Sequence, residues 1–207
     1  MKSKLLTLFF LAVGFCGLVH AQPYYPQSAM PFGISRPAQL PGPVVILKQG
    51  LKKLMAFAAT DRKPDRIQSV AFLEREIVPY FNFAYMARWA AGDRVWRQLD
   101  EGQQEELESY IKRDFLTTLA ARLTGFGEQQ IQVRNPRRVS ANEVMVAVSV
   151  LNPQAYPARL NFRFYRAEDG WKVFDVAANG SSAVVHYRKQ FRQMMRQRMK
   201  SRRSYRR

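Results

Sequence analysis

One cysteine and two histidines in 207 residues leave almost no material for a thiol nucleophile, a zinc site or a disulfide framework. Cys16 lies in the opening apolar run, and His186 is the only histidine beyond residue 20. Acidic groups are also scarce, with 16 Asp and Glu against 33 Lys and Arg, a formal charge of +17. No apolar run reaches the ~20 residues that cross a bilayer as a helix. The longest, Leu5 to Val19, is shorter and follows Lys2 and Lys4.

These scarcities exclude most chemistry. General acid/base work by His186 needs a positioned partner, and no nucleophile signature stands near it. Gly180 to Ser182 lacks the G-x-S-x-G elbow and reads better as a helix N-cap. Gly125 and Gly127 follow a helical pattern and precede a strand pattern, the wrong order for a dinucleotide fingerprint. Glu74 with Glu76, and Glu105, Glu106 and Glu108, stand among Lys, Arg and Gln as solvated helix faces. No catalytic residue, metal ligand or cofactor is expected, and the chain reads as a non-enzyme.

What is present divides along the chain. Residues 1–21 read as a signal peptide, with small residues at Val19-His20-Ala21 placing cleavage after Ala21 and the remainder in the periplasm. Gln22 to Pro43 holds six prolines and no apolar period, as a linker does. Helical spacing begins at Val44 and includes Leu47, Leu51, Leu54 and Met55. A second helix starts near Pro64 and uses Ile67, Val70, Ala71, Phe72 and Ile77. A third is expected to carry Pro79 in its first turn and to close at Gly92. Asp100 and Gln103 predict a capping box for the longest helix, whose stripe is Leu107, Ile111, Phe115, Leu119 and Leu123.

After Gly127 the apolar period falls to two. Val144, Val146, Val148 and Val150 alternate strictly, as do Leu160, Phe162 and Phe164. Glu143 to Val176 therefore reads as a three-strand antiparallel meander with a shorter strand near Ile131, giving an α+β fold: N-terminal helices packed on a twisted sheet of about four strands, and a C-terminal helix. Met145, Ala147 and Leu151 oppose the valines, and Trp171 and Val173 are expected to oppose Phe174 and Val176. Apolar material is expected against both sheet faces, either as helices on both sides or as an apolar ligand cavity between layers.

The stretch GWKVFDVAANGSSAVVHYRKQF resembles the strand, glycine turn and terminal helix of the MlaC-type, or toluene-tolerance, family. The matching positions are Trp171, Val173, Phe174, Asp175, Val176, Gly180, Ser182, Tyr187, Arg188, Gln190 and Phe191. EREIVPYFNFAYMARWAAGDRVWRQLDEGQQEEL and VLNPQAYPARLNFRFYRAEDGW resemble two earlier family segments, so the likeness extends from about Val44 to Phe191. Asn82, Asn179 and Ser181 depart from the pattern, standing where the family has an acidic residue, a glutamate and a valine.

The resemblance implies a periplasmic phospholipid carrier in a Gram-negative envelope. Its implied partners are an inner-membrane ABC transporter complex and an outer-membrane lipoprotein complex. A related branch is associated with hopanoid lipids, so lipid identity stays open. With a lipid-binding domain over 44–191, the candidate lining is Tyr80, Phe83, Met86, Leu116, Leu119, Leu123, Val146, Val148, Leu160, Phe162, Phe164 and Val176. Residues 192–207 form a basic tail in which Arg192, Arg196, Arg198, Lys200, Arg202 and Arg203 could meet an anionic membrane or a partner. Two alternatives remain: an exported adaptor with a filled core, and a binder of anionic surfaces or nucleic acid acting through the tail. Export makes nucleic acid the weaker partner.

Overall fold

The computed structural model describes residues 40–60, 64–123, 129–152 and 155–204, all within one unit, Gln39–Arg207. The expected leader, most of the linker, the Gly125–Gly127 segment and the last three residues lie outside the described residues. Among the described residues six helices run in the order α1 (Pro43–Ala58), α2 (Arg66–Glu76), α3 (Phe83–Ala91), α4 (Asp93–Trp96), α5 (Glu101–Leu123) and α6 (Ala183–Ser204). The strands are β1 (Gln130–Val133), β2 (Arg137–Arg138), β3 (Glu143–Asn152), β4 (Ala155–Ala167), β5 (Gly170–Ala178) and β6 (Ser181–Ser182).

Local chemistry sets the helix starts. Asp65 and Gln68 form a reciprocal capping box on α2, and Asp100 and Gln103 repeat it at α5, with Gln103 N donating to Asp100 Oδ1 over 2.8 Å. Each box satisfies two backbone donors that a helix start leaves unpaired. The third helix starts later than its sequence suggests. Pro79 lies in a separate 3-10 turn, Val78–Tyr80, and Asn82 caps α3 by accepting from Tyr85 N at 2.7 Å. Asn82 also donates to the Tyr165 hydroxyl, so the amide at this family departure bridges helix and sheet where a carboxylate could only accept.

The sheet is antiparallel in the order β1-β3-β4-β5-β6, with β2 also paired to β3. Its four longer strands are those the alternation predicts, and β2 and β6 are two-residue additions. Asn179 and Gly180 join β5 to β6 with φ of 49° and 86°. Positive φ at both central residues is what a two-residue hairpin turn of the primed kind requires, and Asn-Gly supplies it at low cost. Ser182 caps α6, accepting from Val185 N at 3.2 Å.

Strand β5 departs from even alternation. Phe164 pairs with Val173 and Arg163 with Asp175, leaving Phe174 as the extra residue of a bulge. Val173 and Val176 consequently share a face with Phe164 and Phe162, so the expected opposition of Val173 to Val176 is corrected. The bulge sends Phe174 and Asp175 together to the other face. There Phe174 meets Tyr85, Trp89 and Tyr165, with ring centroids 5.1, 5.6 and 5.9 Å away. Helices thus cover both faces of β5, with α3 and the start of α6 on this one.

Three apolar clusters result. One joins α3, α5 and α6 through Phe83, Met86, Ile111, Val184, Tyr187 and Phe191. A second joins α1 to the valine face of the sheet through Ile46, Leu47, Val146, Val148 and Phe164. The third joins α2 to the C-terminal half of α5 through Leu73, Ile77, Leu116, Ala120 and Leu123. Phe81 packs against all three.

Candidate functional site

Helix α1 lies over the valine face of the sheet, and along its flank a cleft of about 650 Å³ opens toward β1. One wall carries Lys48, Leu51, Lys52, Met55, Ala56 and Ala59; the other carries Gln129, Ile131 and Val133. The pattern follows from helical geometry. Leu51 and Met55 lie one turn apart, as do Lys48 and Lys52, so the apolar and cationic pairs form adjacent rows. On β1, Ile131 and Val133 alternate with the exposed Gln130 and Gln132.

Leu51, Ile131 and Val133 also pack on the sheet-side cluster, so the cleft is the open margin of that cluster. Met55 is 39% exposed there, an apolar side chain held at the surface. Lys48 and Lys52 are exposed and can lay their methylene stems on the apolar wall while the ammonium groups stay in water. The arrangement suits an amphiphile with an apolar body and an anionic head.

Helix α1 is held by apolar contacts, Ile46 and Leu47 on the sheet side and Phe57 stacked on Phe72 with ring centroids 3.9 Å apart, and an ion pair adds to them. Lys53 Nζ reaches Glu76 Oε2 at 2.9 Å and stands 5.4 Å from the Tyr80 ring centroid. The Arg75 and Lys53 partners hold the Glu76 carboxyl below its ordinary range, and the Glu76 bond raises Lys53. Both groups are solvated, so such a pair contributes little to stability. Buried Gly50 allows α1 to sit against the Tyr80 ring, which is 3.6 Å from where a Cβ would stand.

The structure distributes the candidate lining over all three clusters. Val146, Val148 and Phe164 are buried in the sheet-side cluster, with Tyr80, Leu160, Phe162 and Val176 half-buried against it. Phe83 and Met86 belong to the cluster of α3, α5 and α6. Leu116 and Leu123 belong to the cluster with α2, and Leu119 packs against it. None of these side chains lines the α1–β1 cleft. Sequence reasoning missed Lys48, Lys52 and the cleft role of Leu51, Met55, Ile131 and Val133. The readable signal was KQGLKKLM, two pairs of like residues at helical spacing.

On the opposite face the charges are structural. Asp175, 2% exposed, accepts from Ser182 Oγ at 2.8 Å and Val184 N at 3.2 Å, anchoring the start of α6. Arg163 lies 4.9 Å from the Trp89 ring and 4.6 Å from Phe174, with Glu143 at 3.2 Å and Asp175 at 3.7 Å. Burial, reinforced by Asp114, pushes the Tyr187 hydroxyl far above its ordinary pKa, and it donates to Asp114 Oδ2 at 3.1 Å. His186 is exposed and stacks edge-on with Tyr187. Among the described residues no group of three His, Cys, Asp or Glu could hold a metal ion, and no helix is long and apolar enough to cross a membrane.

In the basic C-terminal segment, α6 passes residue 192 without a break and reaches Ser204. Arg192 and Arg196 are exposed, whereas Arg198 pairs with Glu106 at 3.0 Å. Lys200, Arg202 and Arg203 occupy helical positions. A second cleft, about 330 Å³, lies between α5 and α6 and is lined by Leu107, Tyr110, Phe191, Met194 and Met195, with Glu106 and Arg198 also on its lining.

The sequence model of a family described as MlaC protein matches residues 49–202. The chain is also similar to the solved structure of a phospholipid-binding protein from Ralstonia solanacearum in complex with a phospholipid. That likeness has a TM-score of 0.69 at 23% identity and covers 76% of this chain and 89% of that one. No curated protein matches the sequence.

Proposed function

Because the chain belongs to the MlaC protein family, we propose that it binds one phospholipid and carries it through the periplasm between membrane-bound transport components of a Gram-negative envelope. Binding and carriage, rather than catalysis, are its task. The observation that carries this reading is the α1–β1 cleft, an apolar margin of the sheet-side cluster with two lysines on its wall. The phospholipid held by the Ralstonia solanacearum protein, which shares the fold, supports it.

The physical need is plain. Each acyl methylene exposed to water costs about 0.8 kcal/mol, so the roughly thirty methylenes of a two-chain lipid make unaided transfer prohibitively slow. The chains would enter at Leu51, Met55, Ile131 and Val133 and spread α1 from the sheet toward Val146, Val148, Leu160 and Phe162, while the phosphate meets Lys48 and Lys52. The lysines favour a phosphate-bearing lipid over a hopanoid. An inner-membrane ABC complex would be one docking partner and an outer-membrane lipoprotein complex the other. Residues 1–21 would direct export, 22–43 would precede the domain as a proline-rich linker, 44–191 would hold lipid and 192–207 would form a basic extension.

Binding of a fluorescent phospholipid by the chain and its variants tests the site. Leu51→Glu should lower affinity at least tenfold, because a carboxylate cannot enter an apolar cleft cheaply. Lys48→Glu with Lys52→Glu should weaken phospholipid several-fold and leave diacylglycerol unchanged. Undiminished phospholipid binding by both folded variants would exclude this cleft.

A further inference from the structure

Helix α6 has a face that lipid binding does not use. Lys189, Arg192 and Arg196 are exposed along it, and at 100° per residue positions 200 and 203, Lys200 and Arg203, fall in the same sector about 80° wide. The five positions run ~21 Å along the helix, from a rise of about 1.5 Å per residue. Val184, Tyr187 and Phe191 are buried on the far side of the helix from Lys189, Arg192 and Arg196, so these three face away from the domain. The other cations of this helix with described contacts are engaged elsewhere: Arg188 Nη2 donates to Trp89 O at 2.6 Å, and Arg198 pairs with Glu106. No acidic residue follows Asp175 in the sequence, so nothing further along α6 neutralises the row.

We propose that this row is a docking ridge for an anionic membrane surface. Charge complementarity names the partner's sign, and the ridge's shape names its form. A straight row of cations about one turn apart meets a flat field of phosphates all at once. Val185, 45% exposed, stands in the same sector at the helix start and gives the ridge an apolar end suited to the interface. The inference goes beyond lipid carriage and does not require the cleft to be the lipid site.

Co-sedimentation of the full chain with vesicles tests it, using phosphatidylglycerol–phosphatidylcholine against pure phosphatidylcholine at low and moderate salt. Each cation near such a surface contributes about fivefold in affinity. Replacing Lys189, Arg192 and Arg196 together by Ala should therefore weaken binding to the anionic vesicles about a hundredfold, while Arg198→Ala stays within about twofold. Alanine favours helix, so the variant should retain α6, which circular dichroism checks. Bound phospholipid should remain in the triple variant, separating the ridge from the cleft. Equal binding to both vesicle types, an unaffected triple variant, or tighter binding to duplex DNA or polyglutamate than to anionic vesicles at the same salt would each overturn the proposal.

Discussion

Asp175 shows what a single buried carboxylate does here and why its role was hidden. In the sequence it is only a polar residue among the apolar positions of a strand, with no sign of what it holds. The bulge at Phe174 moves it from the Val173 face to the face covered by α3 and the start of α6, where it accepts from Ser182 Oγ and Val184 N. Asp175→Ala should cost about 2 kcal/mol, because a cap and a buried acceptor are lost together, and denaturant midpoints measure it. Ser182 and the Asp100–Gln103 pair were legible beforehand, since caps depend on residues adjacent in sequence. Tyr187 gives a pH signature. Burial and Asp114 raise its folded pKa. The unfolded tyrosine ionises above about pH 10 while the folded one stays neutral, so stability is lost as pH rises past that point. Tyr187→Phe should cost about 1 kcal/mol near pH 8, and that deficit should vanish by about pH 11. A deficit constant over that range would contradict the burial argument.

Among the elements, α5 explains why the candidate lining mixed three clusters. Its stripe was correctly placed, but 23 residues extend ~35 Å, farther than any one neighbour. Leu107 and Ile111 face α3 and α6, whereas Leu116, Ala120 and Leu123 face α2. Periodicity tells which side of a helix is apolar, not which partner covers each turn. The start of α3 shows the same limit, because Pro79 fits a first helical turn and the chain places it in a 3-10 turn instead. Helix α1 offers a direct test of element packing. A Cβ at Gly50 would meet the Tyr80 ring at ordinary contact distance. Gly50→Ala should therefore stabilise the protein by about 0.5–1 kcal/mol through helix propensity. A lower melting temperature would mean that α1 sits closer to Tyr80 than described.

For the whole molecule, the order of helices, meander and terminal helix could be read from the change of period at Gly127, and the family resemblance agrees with the match over residues 49–202. The rows on α1 could be read from KQGLKKLM, but their pairing with β1 into a cleft could not. The cleft forms between α1 and β1, segments far apart in sequence whose flanks meet only after the sheet assembles. Export carries its own expectation: protein recovered from the envelope should begin at Gln22, as N-terminal sequencing would show, and a chain still starting at Met1 would remove the periplasmic reading. The central claim is carriage of a phospholipid, and native mass spectrometry of the protein gently purified from its own envelope tests it most directly. The account predicts an added mass of about one phospholipid per chain, lost on delipidation and regained on mixing with phospholipid vesicles. A chain that carries no lipid from the envelope and takes up none from vesicles would contradict it.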